Sequence, residues 1–353
     1  MLSFWLNSSF SSSGVELPFY YFIFHLGIVS TGAVILDLMF SEVSRFHPLA
    51  AFGRAAASLE RVANPYHQSN LSCDDNNPYK AKLFGLLGAL GLILPISFVV
   101  MISALFVSKI WLAGVMLDSV ILYFCIGLTS MRKHVLAIAR PLENQQIALA
   151  RKACSQIVSR DVDNLTQEQI CKAAVESTLE NTNDAVIASL FWYAIGGIPM
   201  AVAHRLINTL DAMWGYKNKR FQNFGWAAAK LDDVLAWPTA KVTGWLFALQ
   251  GVSRRVCCIA IQNAQSQSLQ YKSRNGGFVM SAGASVMAIQ LGGEASYHGE
   301  TKLPGHLGDT TAKNKPVEIQ HIKESVRLMN RAVLIWLAII SILSISLFLF
   351  LSF

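Results

Sequence analysis

Residues 176–203 read ESTLENTNDAVIASLFWYAIGGIPMAVA, and the fold turns on how this stretch is taken. Its first nine residues hold Glu176, Glu180 and Asp184 together with Asn181 and Asn183. From Val186 it becomes as apolar as a membrane segment, but it is short and interrupted by Gly196, Gly197 and Pro199. An acid beside hydrocarbon costs several kcal/mol unless it is paired, metal-bound or wetted, so such acids default to function. The crowding extends outward: Asp161, Asp211, Asp232 and Asp233 also fall within 159–237, in a chain of which only 14% is charged.

Composition sets the setting for these acids. The 353 residues are 53% hydrophobic, with a mean hydropathy of +0.40, well above a soluble domain of this length. Four runs, 17–40, 84–108, 111–130 and 332–353, each reach the roughly 20 residues a helix needs to cross the hydrocarbon core. Residues 1–16 carry no positive charge and the run after them is too long for a leader's core, so no cleavable leader is expected. Of the 29 Lys and Arg, five lie in 41–83, one is Lys109, seven lie in 132–203 and sixteen in 204–331. The positive-inside rule puts 41–83 in the cytoplasm and the N-terminus outside, and after three spans 132–185 is again cytoplasmic. If 186–203 also crossed, the most basic part of the chain would lie outside. The segment is therefore read as re-entrant or packed within the protein, where broken helices are tolerated, with a fifth full span left open. The expected fold is an all-α integral membrane protein, one domain over 1–353. It has four transmembrane helices, cytoplasmic helical loops and a catalytic region over 132–331.

The net charge of +7 and pI of about 9.1 do not indicate nucleic acid, since basic residues flanking spans meet anionic lipid and set topology. They can also draw in a polyanionic substrate. Six cysteines (73, 125, 154, 171, 257 and 258) form no C-x-x-C and are expected as cytoplasmic thiols. No G-x-x-x-x-G-K-[ST] is present, which excludes a P-loop. Thr166, followed three residues later by Gln169, marks a helix start. Residues 262–277 and 294–318 read as polar loops.

On the helix that follows Thr166, Glu176, Glu180, Asn183 and Asp184 share one stripe at i, i+4, i+7 and i+8. Like charges one turn apart destabilise a bare helix, so the stripe suits a Mg²⁺ ion held by oxygen ligands or a set of basic partners. A solvated acidic face is the alternative. In NTLDAMWGYKNKRF (208–221), Asn208 and Asp211 lie within a turn, and Gly215 with Lys217, Lys219 and Arg220 makes a loop suited to phosphate oxygens. A juxtamembrane charge cluster reads the same way. Of the adjacent Asp232 and Asp233, at most one can face a site. His47, before Pro48, and the tryptophans 214, 226 and 237 are weaker signals, the latter better read as interfacial anchors.

In combination these stretches are specific. SRD at 159–161, ESxxENxxDxxIAxLF from 176, NTLDxMxGYKN from 208 and FGWAAAxLDDVLxW from 224 resemble, in order and spacing, the adenosylcobinamide-phosphate synthase (CobD/CbiB) family of cobalamin biosynthesis. The resemblance is dense over 159–241 and thinner around 37–60, 275–293 and 305–309. It implies a multi-pass enzyme of the bacterial inner membrane with its site facing the cytoplasm. Such an enzyme joins adenosylcobyric acid to aminopropanol phosphate, or a similar amino alcohol phosphate, as an amide, with ATP and Mg²⁺. Its partners would be the corrinoid, the amine phosphate and membrane lipid, with a homo-oligomer allowed and no nucleic acid. The expected roles are catalysis by Asp211, Asp232 and Lys217; metal binding by Glu176, Glu180 and Asp184; and substrate or phosphate binding by Arg160, Asn181, Asn208, Tyr216, Lys217, Arg220 and His47. Two departures stand out. The family's Gly-Asp-Pro before the His-Pro is replaced here by Ser41-Glu42-Val43-Ser44, and its aromatic-Pro-Glu run after Asn275 by Phe278-Val279-Met280. A non-catalytic membrane regulator on the same fold would explain them, and a small-solute transporter would explain buried acids, although no inverted repeat is visible.

Overall fold

A computed structural model of the chain describes residues 16–41, 47–67, 77–293, 295–297, 300–302, 305–313 and 315–352. The departure at Glu42-Val43-Ser44 lies outside them. Twelve helices are described: α1 (Glu16–Phe40), α2 (Pro48–Ala63), α3 (Pro78–Val107), α4 (Trp111–Cys125), α5 (Leu128–Glu143), α6 (Ile147–Cys154), α7 (Gln167–Thr182), α8 (Ala188–Trp214), α9 (Trp226–Ala248), α10 (Arg254–Gln267), α11 (Arg274–Val286) and α12 (Ile319–Ser352). The protein is an all-α membrane protein. Four helical stretches, Pro78–Val107, Trp111–Glu143, Gln167–Trp214 and Ile319–Ser346, are long and apolar enough to cross a bilayer. Residues 186–203 belong to the third, while His25–Phe40 is a shorter apolar helix among the described residues.

Three helix starts can be traced directly to the sequence. Pro48 and Pro78 stand at first positions, where a missing N–H costs nothing, and the side chains of His47 and Asn77 accept from the N–H groups of Leu49 and Tyr79. Thr166 and Gln169 close the expected capping box on α7. Between α7 and α8 the chain makes one π-turn, Asn183–Ile187, and inside α8 Gly197 takes φ 67°, ψ −165°, just before Pro199. The run read as a broken helix is broken where Gly-Gly-Ile-Pro stands.

The chain forms two compact units. One comprises Met1–Gly127, Ala188–Leu235 and Leu337–Phe353. In it α1 packs on α4, α2 packs on α3 and α8, and α8 also lies against α3 and α4. Close approach is set by small residues: a Cβ on Gly85 of α3 would fall 1.8 Å from the Phe224 carbonyl oxygen. Ser189 Oγ donates to the Cys125 carbonyl (2.9 Å), satisfying an acceptor orphaned at the end of α4. Between α1 and α4, His25 Nε2 meets Asp118 Oδ2 at 3.0 Å, so an acid within an apolar stretch is paired. Leu83, Leu87, Leu94, Phe98 and Val99 of α3 are exposed, an apolar face suited to lipid.

The second unit comprises Leu128–Ile187 and Ala236–Trp336. Here α7 packs on α5, α6 and α11, and α10 pairs with α11. Short antiparallel strand pairs form here: β1 (Gln290–Gly292) with β4 (His306–Gly308), and β2 (Ala295–Tyr297) with β3 (Glu300–Lys302); β2, β3 and β4 fall in the stretch 294–318 expected as a polar loop. β1 and β4 lie on α11. Residues 262–277, also read as a loop, are mostly α10 and the start of α11.

Candidate functional site

Within the second unit, α7 presents Glu176, Ser177, Glu180 and Asn181 to a cavity of about 230 Å³, closed by Arg160 and by Tyr271, Lys272 and Ser273 ahead of α11. Glu176 is 4% exposed, with its charge met on both oxygens: Arg160 Nη2 pairs with Oε2, and the Gly292 N–H donates to Oε1 at 2.8 Å. Such a pair is held by geometry, because removing either partner strands a buried charge. Asn181 Nδ2 donates to the Ser177 carbonyl (2.9 Å), and Ser177 Oγ donates to the Ile157 carbonyl (3.0 Å). This anchors the segment that carries Arg160. Glu180 lies against the first turn of α11, where a Cβ on Gly276 would sit 2.6 Å from its Oε1. Ser273 Oγ caps that turn by accepting from the Gly276 N–H at 3.1 Å, and the helix terminus favours the nearby carboxylate. Cys154, in the same unit, is a thiol pushed up to about 11 by burial, with Glu176 adding to the effect against the opposing charge of Arg160.

The acidic stripe is not continuous. Asp184 falls in the π-turn, accepts from Asn183 Nδ2 (2.7 Å), and is not among the residues lining the cavity that Glu176 and Glu180 face. Asn183 in turn accepts from Thr243 Oγ1 at 3.0 Å. Among the described residues no three of His, Cys, Asp and Glu converge closely enough to hold an ion. Glu176, Glu180 and Asp184 therefore do not form an all-protein metal cage here.

The first unit gathers a second set of candidates. Asn208 Nδ2 on α8 donates to Asp232 Oδ1 on α9 (3.3 Å), and Arg205 Nη1 donates to Asn208 Oδ1 (3.3 Å). Asp211, one turn beyond Asn208, folds over Gly215: a Cβ there would lie 2.1 Å from Asp211 Oδ1. Tyr216, Lys217 and Lys219 are exposed on the loop that follows.

Arg220, expected to contact phosphate, is engaged by Glu60. Its Nε and Nη2 fork onto Glu60 at 3.0 and 2.5 Å, and its carbonyl accepts from Asn64 Nδ2 (3.0 Å). Asn64 Nδ2 also donates to Glu60 Oε1 (2.7 Å), and His67 Nδ1 stands 3.0 Å from Glu60 Oε2. Burial alone would raise the Glu60 carboxyl, but the hydrogen bonds of Arg220, Asn64 and His67 and the guanidinium charge outweigh it and hold it below the usual range. The same pairing holds Arg220 above its ordinary value. His47 likewise serves as a helix cap, its Nδ1 accepting from Leu49 N–H at 3.2 Å. Trp214 is core, edge-on to Phe224 at 4.9 Å, whereas Trp226 and Trp237 are exposed.

Sequence reading passed over Glu60, Asn64 and His67, although their spacing of four and three residues puts them on one face of a helix. It also passed over Lys272 and Ser273, because the polar run around them reads as a loop.

Comparison with known proteins adds lineage. The family description "CobD/Cbib protein" matches residues 30–329. A "Cobalamin biosynthesis protein CobD" from Stutzerimonas stutzeri is 38% identical over 309 residues, covering 88% of this chain and 95% of its own. Proteins of the same name from Chromobacterium violaceum (35% identical; 87% and 93% covered) and Halalkalibacterium halodurans (34%; 72% and 81%) are similar to it as well. No solved structure matches. With a family match over most of its length, relatives above 30% identity and the acidic motifs intact, this chain belongs to the CobD/CbiB protein family.

Proposed function

We propose that this chain performs an amide ligation in cobalamin biosynthesis, joining the amine of aminopropanol phosphate or a close analogue to a carboxylate of adenosylcobyric acid. The observation that carries this reading is the cavity on α7, where a carboxylate, a guanidinium, an amide and an ammonium side chain converge within one small polar space. At about 230 Å³ it is smaller than the ~300–1,000 Å³ pockets of drug-sized ligands. It suits an amino alcohol phosphate rather than a corrin ring. Lys272 and Arg160 supply positive charge for phosphate, and Glu180 supplies an acceptor for the substrate ammonium.

Forming an amide from a carboxylate expels one oxygen: the terminal phosphoryl group of ATP passes to that oxygen, releasing ADP, and the amine then attacks the acyl phosphate so that inorganic phosphate departs with the oxygen. The amine must first lose a proton, and Glu180, which accepts the ammonium, is the candidate base within the cavity. Mg²⁺ would neutralise phosphate charge. The Lys/Arg distribution supports a site on the cytoplasmic face of the inner membrane.

Purified protein incubated with adenosylcobyric acid, ATP, Mg²⁺ and either aminopropanol phosphate or ethanolamine phosphate is expected to yield the mass of the amide. No product with either amine, and no rescue of a cobalamin auxotroph lacking this step, would favour the regulator.

A further inference from the structure

The Glu60 cluster is outside the roles assigned above, and it is built with more care than a surface ion pair needs. Glu60 is 2% exposed and takes hydrogen bonds from Arg220 and Asn64, with His67 against it. Asn64 holds the Arg220 main chain as well, and its own Oδ1 accepts from the Tyr66 N–H (3.0 Å). The Tyr66 hydroxyl then accepts from Asn223 Nδ2 at 3.4 Å. The end of α2 thus grips residues 220 and 223 of one loop. A bidentate guanidinium–carboxylate contact fixes orientation as well as distance, which a lone lysine pair does not. What the grip presents is Lys217 and Lys219, both exposed, neither making an ion pair among the described residues. Two ammonium groups on a loop whose backbone is held in place are an arrangement for receiving a multiply charged anion.

We propose that Glu60 and Asn64 are positioning residues: by holding the side chain and carbonyl of Arg220, they set the loop 215–225 so that Lys217 and Lys219 receive a substrate phosphate group. The inference rests on the ligase reading for the identity of that substrate, whose phosphate belongs to the amine or to the nucleotide.

The test is lysine footprinting of the full-length protein in detergent, with an amine-acetylating reagent and mass spectrometry of each lysine. Separate arms contain ethanolamine phosphate and ATP, with ethanolamine and adenosine as phosphate-free controls. In the wild type, one phosphate compound slows acetylation of Lys217 and Lys219 about tenfold, while Lys313 and Lys315 are unchanged and the controls do nothing. The arm that protects identifies the source. In Glu60→Gln the protection is lost, and the KM for that compound rises about tenfold while kcat stays within about threefold. Asn64→Ala keeps the Glu60–Arg220 fork but frees the Arg220 carbonyl and the Tyr66 N–H and removes one bond to Glu60; it loses part of the protection and serves if Glu60→Gln does not fold. Full protection in both variants would overturn the proposal, leaving Glu60 a strap for the fold alone. Absence of protection in the wild type would overturn it too. Protection without amide product would sink the ligase reading and leave this one standing; product without protection would do the reverse.

Discussion

Gly276 has no room for a methyl group, since a Cβ there would meet Glu180 Oε1 at 2.6 Å. Gly276→Ala is expected to push Glu180 aside and lower kcat/KM about tenfold to a hundredfold, with little change in melting temperature; misplacing a substrate contact by an ångström has that effect. Removing Arg160 is a different matter. It strands Glu176 in a 4% exposed position, so Arg160→Ala should cost about 3–5 kcal/mol of stability, read by denaturation in detergent. Glu60 predicts a pH dependence. Its carboxyl is held below the ordinary range in the folded protein, so its contribution is present above the unfolded value and fades as pH falls through the lowered folded one. Glu60→Gln should flatten that acid limb of the stability profile and leave the neutral region's slope alone. Met280 lines the cavity where the family pattern has its Glu. At this scale the sequence was partly legible: Glu176, Glu180 and Asn181 reach one cavity because successive turns of α7 bring them there, and Arg160 joins them from the segment before that helix. Arg220 did not go to the site, because its partner Glu60 lies 160 residues away and distant pairings leave no local pattern.

The break in α8 is the element on which the apolar segment turns. Gly197 sits at φ 67°, ψ −165°, a region essentially reserved for glycine. Gly197→Ala should therefore destabilise by about 1–3 kcal/mol, or straighten the helix, seen as a lower melting temperature in detergent. The break was legible from Gly-Gly-Ile-Pro, and so was the start of α7 from its capping box. The π-turn was not, since Asn183-Asp184-Ala-Val-Ile carries no signal distinguishing i→i+5 from i→i+4 hydrogen bonding. The strands β1 to β4 were not legible because runs of three residues are too short to show alternation.

For the whole molecule, the apolar runs settled the class, and the four stretches fit to cross a bilayer include the acidic helix itself. The topology proposed from the Lys/Arg asymmetry has a direct check. With Cys257 and Cys258 replaced by Ser, Gln265→Cys should resist a membrane-impermeant thiol reagent in intact cells and react after permeabilisation; ready labelling in intact cells would invert it. The clasp between Glu60 and Arg220 has a consequence in time. At the ribosome's pace of ~5–20 residues per second, the 160 residues between them take about 8–32 s to be made. Throughout that interval α2 exists without the guanidinium that neutralises its buried acid, so Glu60 must wait hydrated. The basic loop acquires its shape late, and a chain arrested before residue 220 never acquires it at all.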